Sequence, residues 1–160
     1  MEMVGRRRLD FCCLQETRWR GQGARTLGDY KLFWKGCENG MAGVGILVAK
    51  RWVENVISIN RVSERLMVLR VRINRSILHI ISVYAPQVGR AMEEKEEFLV
   101  NVGKAVCAVD AGEQLVVCGD FNGHVGSKAD GYEEVHGGYG IGERNVEGKW
   151  RNVAGNGWEV

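Results

Sequence analysis

The sequence predicts a mixed α/β domain. Three observations predict it. Short apolar runs with strand periodicity fill the first 84 residues, one amphipathic stripe of helical period follows, and a further apolar run comes after the stripe. At 160 residues the chain has room for one domain, taken as residues 1–160, and too little for two ordinary ones.

Leu9 to Leu14 is a short run of β-type residues and predicts a strand leading into Gln15-Glu16-Thr17. Tyr30 to Trp34 predicts a second strand. Gly43 to Ala49 predicts a third, apolar continuously rather than alternately, and Val53 to Ile59 a fourth. Arg65 to Ile73 alternates cleanly, with Met67, Leu69, Val71 and Ile73 on one face and Arg70 and Arg72 on the other. Asn74-Arg75-Ser76 is a tight-turn sequence, so this strand and Ile77 to Tyr84 form a hairpin. Ile77 to Val83 is apolar on both faces apart from His79 and Ser82, the pattern of a strand covered on both sides.

Ala91 to Val109 is the one clear helix, with Phe98, Leu99, Val102, Ala105, Val106 and Val109 on a single stripe. Gly103 within it costs about 1 kcal/mol relative to alanine. Leu115 to Cys118 predicts a short buried strand that carries Asp120 towards the interior. After Asn122, glycine-rich turns replace periodic structure, and nothing after Gly148 has a clear period.

Composition narrows the function classes. Apolar residues are 45% and charged residues 26%, the balance of a globular domain, and a net charge of +2 by itself argues neither for nor against nucleic acid. The distribution says more: Arg6, Arg7, Arg8, Arg18, Arg20 and Arg25 make the first quarter basic, and Glu93 to Glu97 form an acidic patch. Five cysteines, Cys12, Cys13, Cys37, Cys107 and Cys118, are an odd number without C-x-x-C spacing. Three of them lie in apolar strand runs, which suits buried reduced thiols rather than a disulfide framework or a zinc site. No secretory leader is visible and no apolar run reaches membrane-spanning length. The expected location is a reducing compartment, nuclear or cytoplasmic, with no membrane partner.

Three strands end in polar residues: Gln15-Glu16, Tyr84-Ala85-Pro86 and Gly119-Asp120-Phe121-Asn122. Ligands of layered α/β folds gather where strand ends converge. If these ends converge, two carboxylates, an amide and a phenol line one cleft. Phosphodiester cleavage near neutral pH uses such a set. Glu16 suits a hard divalent ion such as Mg²⁺. Asp120 can orient or deprotonate a water, and Asn122 and Tyr84 can donate to phosphoryl oxygens.

Each residue also has an ordinary alternative. Glu16 is compatible with an exposed loop, Tyr84 with a core aromatic whose hydroxyl is wet, and Asp120 and Asn122 with turn formers next to glycine. His79, in mid-strand, is expected to be structural. His124, two residues past Asn122, borders the candidate site or a surface loop. His136 has no partner in view. Gly137 to Gly142 lacks the Lys-Ser/Thr and the following helix of a nucleotide-binding loop, so that reading is rejected.

Leu14-Gln15-Glu16-Thr17, Gly43-Val44-Gly45-Ile46, Val83-Tyr84-Ala85-Pro86 and Gly119-Asp120-Phe121-Asn122, in this order and spacing, resemble the endonuclease/exonuclease/phosphatase superfamily. Gln-Glu-Thr-Arg-Trp from Gln15, Gly-Asp-Phe-Asn-Gly-His-Val-Gly from Gly119 and Gly-Ile-Gly-Glu-Arg-Asn-Val-Glu-Gly from Gly140 are most similar to endonuclease domains of non-LTR retrotransposons. The resemblance spans roughly residues 8 to 150. It implies a four-layer α/β sandwich and a Mg²⁺-dependent nick in DNA. By the same resemblance Glu16 matches the metal-binding glutamate and Tyr84 the phosphate-contacting tyrosine. Asp120 and Asn122 match the pair that handles water and phosphate, while Asn145 matches a recurrent Arg-Asn. Arg18 is a possible substrate contact. The family's opening Trp-Asn strand and closing Ser-Asp-His segment are not among these 160 residues, so the domain is expected to be incomplete. Two other readings stay open: an inactive remnant binding nucleic acid weakly through Arg18, Arg20 and Arg25, and a phosphatase of the same superfamily.

Overall fold

The computed structural model describes residues 6–131, 133, 140–145 and 148. His136, with residues 137–139 and 149–160, lies outside the described residues. The chain divides into two units, one of residues 1–84 with 109–119 and one of residues 85–108 with 120–160.

The first unit holds two four-stranded sheets. One contains β1 (Phe11–Gln15), β2 (Gln22–Leu27), β3 (Tyr30–Lys35) and β4 (Val44–Ala49) in the order β1-β4-β3-β2, all pairs antiparallel. The other contains β5 (Val56–Ser63), β6 (Leu66–Ile73), β7 (Ser76–Tyr84) and β8 (Gln114–Asp120) in that order. The hairpin expected around Asn74 is present: Ile73 pairs with Ser76, and Asn74 takes a left-handed φ of 55°.

The core lies between the sheets. Phe33, Val44, Ile46 and Val48 of the first sheet pack with Met67, Leu69, Val71, Ile80 and Tyr84 of the second. The alternation read along Arg65 to Ile73 is therefore the core face of β6. Every residue of β4 is buried, as its unbroken apolar run implies. Tyr30, Leu32, Leu47 and Ala49 form a second cluster, against which Trp52 of the short α1 (Lys50–Val53) packs. Fully burying side chains of this size stabilises by about 1.5–3 kcal/mol each.

In the second unit, α2 (Met92–Cys107) realises the helical stripe. Phe98, Val102 and Val106 are buried, and Lys95 joins them with its ammonium donating to the Val88 carbonyl at 2.6 Å. Glu93 and Glu94 in the first turn and Lys104 in the last complement the helix dipole.

Three expectations are corrected. Val53 closes α1, and the strand expected from Val53 begins only at Val56. β2 was not expected, because Gln-Gly-Ala-Arg-Thr-Leu lies at a sheet edge and is mostly exposed, so no apolar period marks it. Leu115 to Cys118 is a strand but not a buried one. Among the described residues β8 is the last strand of its sheet, Leu115 and Val117 are half-buried, and Val116, Cys118 and Asp120 are exposed. Asp120 thus points to solvent rather than to the interior.

Candidate functional site

In the first unit, Glu16 follows the last residue of β1 with a φ of 50°, which turns the chain out of the strand. Its Oε1 accepts the Tyr84 hydroxyl at 2.5 Å, and its Oε2 accepts Arg18 Nη2 at 3.3 Å. The Tyr84 phenol foremost, with Arg18 beside it, holds this carboxyl below its ordinary range. The side chain keeps 44% of its surface in solvent, so a ligand can reach it.

Tyr84 ends β7 with its ring in the core. The Arg65 guanidinium lies 5.3 Å from the ring centroid and donates to the Tyr84 carbonyl at 3.4 Å. The Tyr84 N–H in turn donates to the Arg65 carbonyl at 2.8 Å. Arg65 is a positioning residue that the sequence reading overlooked; its only signal was a charge at the head of an alternating strand. Gln15 adds a tie between the sheets, its Nε2 donating to Ser82 Oγ at 3.5 Å.

In the second unit, Asp120 and Asn122 are organised around Ala85. The Ala85 N–H donates to the Asp120 carbonyl at 2.8 Å, and Asn122 Nδ2 donates to the Ala85 carbonyl at 2.7 Å. Asp120 Oδ1 accepts the Asn122 N–H at 2.8 Å, closing an Asx turn in which Asn122 has a φ of 48°. Both turn forming and chemistry remain open to this pair: Asp120 keeps a second carboxylate oxygen, and the Asn122 amide keeps a second N–H. Gly119, preceding them, is obligatory. Its φ is 152°, and a Cβ there would stand 1.9 Å from the Val83 carbonyl oxygen.

Asn145 does not join this turn. Its Oδ1 accepts the N–H groups of His124 and Gly148 at 2.9 and 2.8 Å, and its own N–H donates to the His124 carbonyl at 3.1 Å. Arg144 acts likewise, donating to the carbonyls of Val125, Lys128 and Ala129. The Arg-Asn pair therefore braces a loop, while His124 is exposed on it. The structure thus gathers Glu16, Tyr84 and Arg18 in one unit, Asp120 and Asn122 in the other, and pairs His124 with Asn145.

His79 is structural, as expected. It is buried, and its Nε2 meets Glu113 Oε2, while Arg70 Nη2 lies 3.2 Å from Glu113 Oε1. The five thiols are free; Cys12, Cys13 and Cys37 are only partly buried, and Cys107 and Cys118 are exposed. Burial, reinforced by Cys118, pushes the Cys13 thiol up to about 12. An open cavity of about 330 Å³ lined by Arg8, Asp29, Tyr30, Ala49, Lys50 and Arg51 includes none of the candidate residues. Among the described residues, no three His, Cys, Asp or Glu side chains cluster to hold a metal ion, and no helix is long and apolar enough to cross a membrane.

Comparison with known proteins adds three findings. The family model described as Endonuclease/Exonuclease/phosphatase family matches residues 1–140. Craniofacial development protein 2 of Tragulus javanicus and of Bos taurus are each 26% identical over 142 residues, covering 88% of this chain and 24% of the relative. The chain therefore spans about a quarter of the length of these relatives. Among solved structures, the endonuclease domain of TRAS1, a telomere-specific non-LTR retrotransposon, is similar with a TM-score of 0.57 and 12% identity, over 95% of this chain and 62% of that one. The AP endonuclease LMAP from Leishmania major is similar with a TM-score of 0.53 and 12% identity, over 76% of this chain and 48% of that one. At such identities the structures establish the fold alone, an α/β fold with two sheets.

Proposed function

The chain belongs to the endonuclease/exonuclease/phosphatase family, and from that premise we propose that it is a Mg²⁺-dependent phosphodiester hydrolase of the retrotransposon-endonuclease kind, acting on DNA. The observation that carries the reading is the hydrogen bond from the Tyr84 phenol to the Glu16 carboxylate. It keeps Glu16 ionised and fixes a phenol beside it, the two groups that binding a hard cation and a phosphoryl oxygen require. Two proteins that share the fold, the retrotransposon domain and the Leishmania protein, are named endonucleases, which supports a nucleic-acid substrate.

The donor set fits Mg²⁺. This ion takes one or two carboxylates and keeps several waters, so one exposed glutamate serves where a closed cage of protein ligands does not exist among the described residues. When bound, Mg²⁺ supplies charge neutralisation at the phosphoryl group. Glu16 holds it. Tyr84 donates its single hydroxyl proton to Glu16, so it can turn that proton to a phosphoryl oxygen only when a bound cation takes over the Glu16 carboxylate. In the other unit, Asp120, exposed and with one oxygen outside its turn, can accept a proton from water, and the second N–H of Asn122 can donate to a phosphate oxygen. Arg18 neutralises a flanking phosphate, while His124 and Asn145 shape the bordering loop. The five free thiols support a nuclear or cytoplasmic location.

A plasmid-nicking assay in Mg²⁺ tests the reading. Asp120→Asn is expected to lower nicking by about 10²–10⁴-fold, the range for losing a general base. Equal nicking by both chains overturns the role of Asp120. No nicking by either, with DNA binding that weakens as salt rises, supports the non-catalytic remnant instead.

A further inference from the structure

Trp19 stands three residues beyond Glu16 on the loop that joins β1 to β2. Its side chain meets Trp34 of β3 edge to face, with ring centroids 5.0 Å apart and planes at 81°. One flank of the indole is thus packed, yet 37% of the residue remains in solvent. A large amphipathic ring left partly in solvent on a fixed loop can take a stacking partner.

The loop is held from several sides. The Thr17 N–H donates to the Gly43 carbonyl at 3.2 Å, and the Gly36 N–H donates to the Gly21 carbonyl at 2.7 Å. Gly36 approaches so closely that a Cβ there would lie 1.6 Å from the Trp19 carbonyl oxygen. Trp34 Nε1 donates to the Arg20 carbonyl at 3.4 Å. Arg61 of β5 then donates to the carbonyls of Trp34 and Gly23, each at 3.1 Å. An indole held this way loses little further freedom when something stacks on it.

The charge around it selects the occupant. From Glu16 to Arg25 the chain carries Arg18, Arg20 and Arg25 against the single carboxylate of Glu16. All three arginines are exposed, and the Arg18 side chain is 72% in solvent. A partly exposed tryptophan among arginines fits an alternation of flat bases and phosphates. We propose that Trp19 is a base-stacking platform for an unpaired nucleotide of a DNA strand, with Arg18 and Arg20 on the adjoining phosphates. The inference rests on the DNA-directed reading above. It adds to it a specificity element: preference for strands with an exposed base over fully paired duplex.

Fluorescence anisotropy with a labelled single-stranded thymidine dodecamer in EDTA tests this without turnover. Trp19→Ala is expected to weaken binding by about 5–150-fold, the worth of one stacked base. Trp19→Phe is expected to stay within about threefold of the parent, and Trp19→Leu, which fills the space against Trp34 without a π-face, to fall with the alanine variant. If Trp19→Ala does not fold, the comparison of Leu with Phe decides. Equal affinity of Leu and Phe variants, or no measurable binding by the parent, overturns the inference. Trp19-dependent binding without nicking leaves it standing and counts against the hydrolase reading alone. Nicking by the parent together with equal affinity of the Leu and Phe variants overturns the inference and leaves the hydrolase reading standing.

Discussion

β7 and β8 are neighbours in one sheet, and both are short apolar strands that end in a candidate functional residue. Their surroundings differ sharply. Ile80 of β7 is 4% exposed, whereas Val116 of β8 is 45% exposed. β7 has β6 on one side and β8 on the other; among the described residues β8 has a strand partner on one side only. Burial here follows position in the sheet more than the composition of the strand. The division also suits the chemistry. The core strand ends in Tyr84, whose ring is apolar and whose hydroxyl alone needs a polar partner. The edge strand ends in Asp120, whose charge in a dry interior would be costly.

The largest effect is expected where β7 packs against the first sheet. Ile80→Ala removes a side chain from the cluster it shares with Val44, Ile46 and Met67. It is expected to cost about 2–5 kcal/mol, the range for Ile-to-Ala substitution in a core, read from urea unfolding at constant slope. A loss below about 1 kcal/mol would remove β7 from the core and break the contrast with β8.

A smaller effect is expected at Glu113, next to the first residue of β8. His79 foremost, and Arg70 with it, hold the Glu113 carboxyl below its ordinary range. A carboxylate whose folded pKa is depressed stabilises above its unfolded pKa, and that contribution fades as pH falls through the folded value. The parent should therefore lose stability on the acid side of the ordinary glutamate range. Glu113→Gln, which keeps an acceptor for His79 but loses the charge, should be less stable at about pH 7 and show a shallower acid limb. Thermal melts from about pH 7 to about pH 3 check it, and parallel limbs for the two chains would sink the idea.

What was legible in the sequence divides along the same line. The strands β4, β6 and β7 announced themselves because each buries a face or two, and burial imposes a period on side chains. The helix did so for the same reason. β2 was invisible because an exposed edge imposes no period on Gln-Gly-Ala-Arg-Thr-Leu. β8 was legible as a strand but misread as buried, since an apolar tetrapeptide does not say how many neighbours it has. Glu16, Tyr84, Asp120 and Asn122 were legible as strand-end polar residues. The role of Arg65 was not, because its stacking on Tyr84 arises only when β6 and β7 pair. Nor was the bracing by Asn145, which depends on His124 and Gly148 coming together across a loop.

The smallest effect is the sharpest test of the edge. Val116→Thr keeps the β-branched shape and strand preference of valine while exchanging a methyl for a hydroxyl. In β7 such a hydroxyl would need a buried partner, and the exchange would be costly. At Val116 the side chain meets water, so the hydroxyl is solvated and only a little apolar contact is lost. The expected change is within about 0.5 kcal/mol, as for surface substitutions in general, measured by urea unfolding beside Ile80→Ala. A cost above about 1 kcal/mol would mean that this face of β8 is covered in solution, and the exposed setting of Asp120 at the end of the same strand would have to be revised with it.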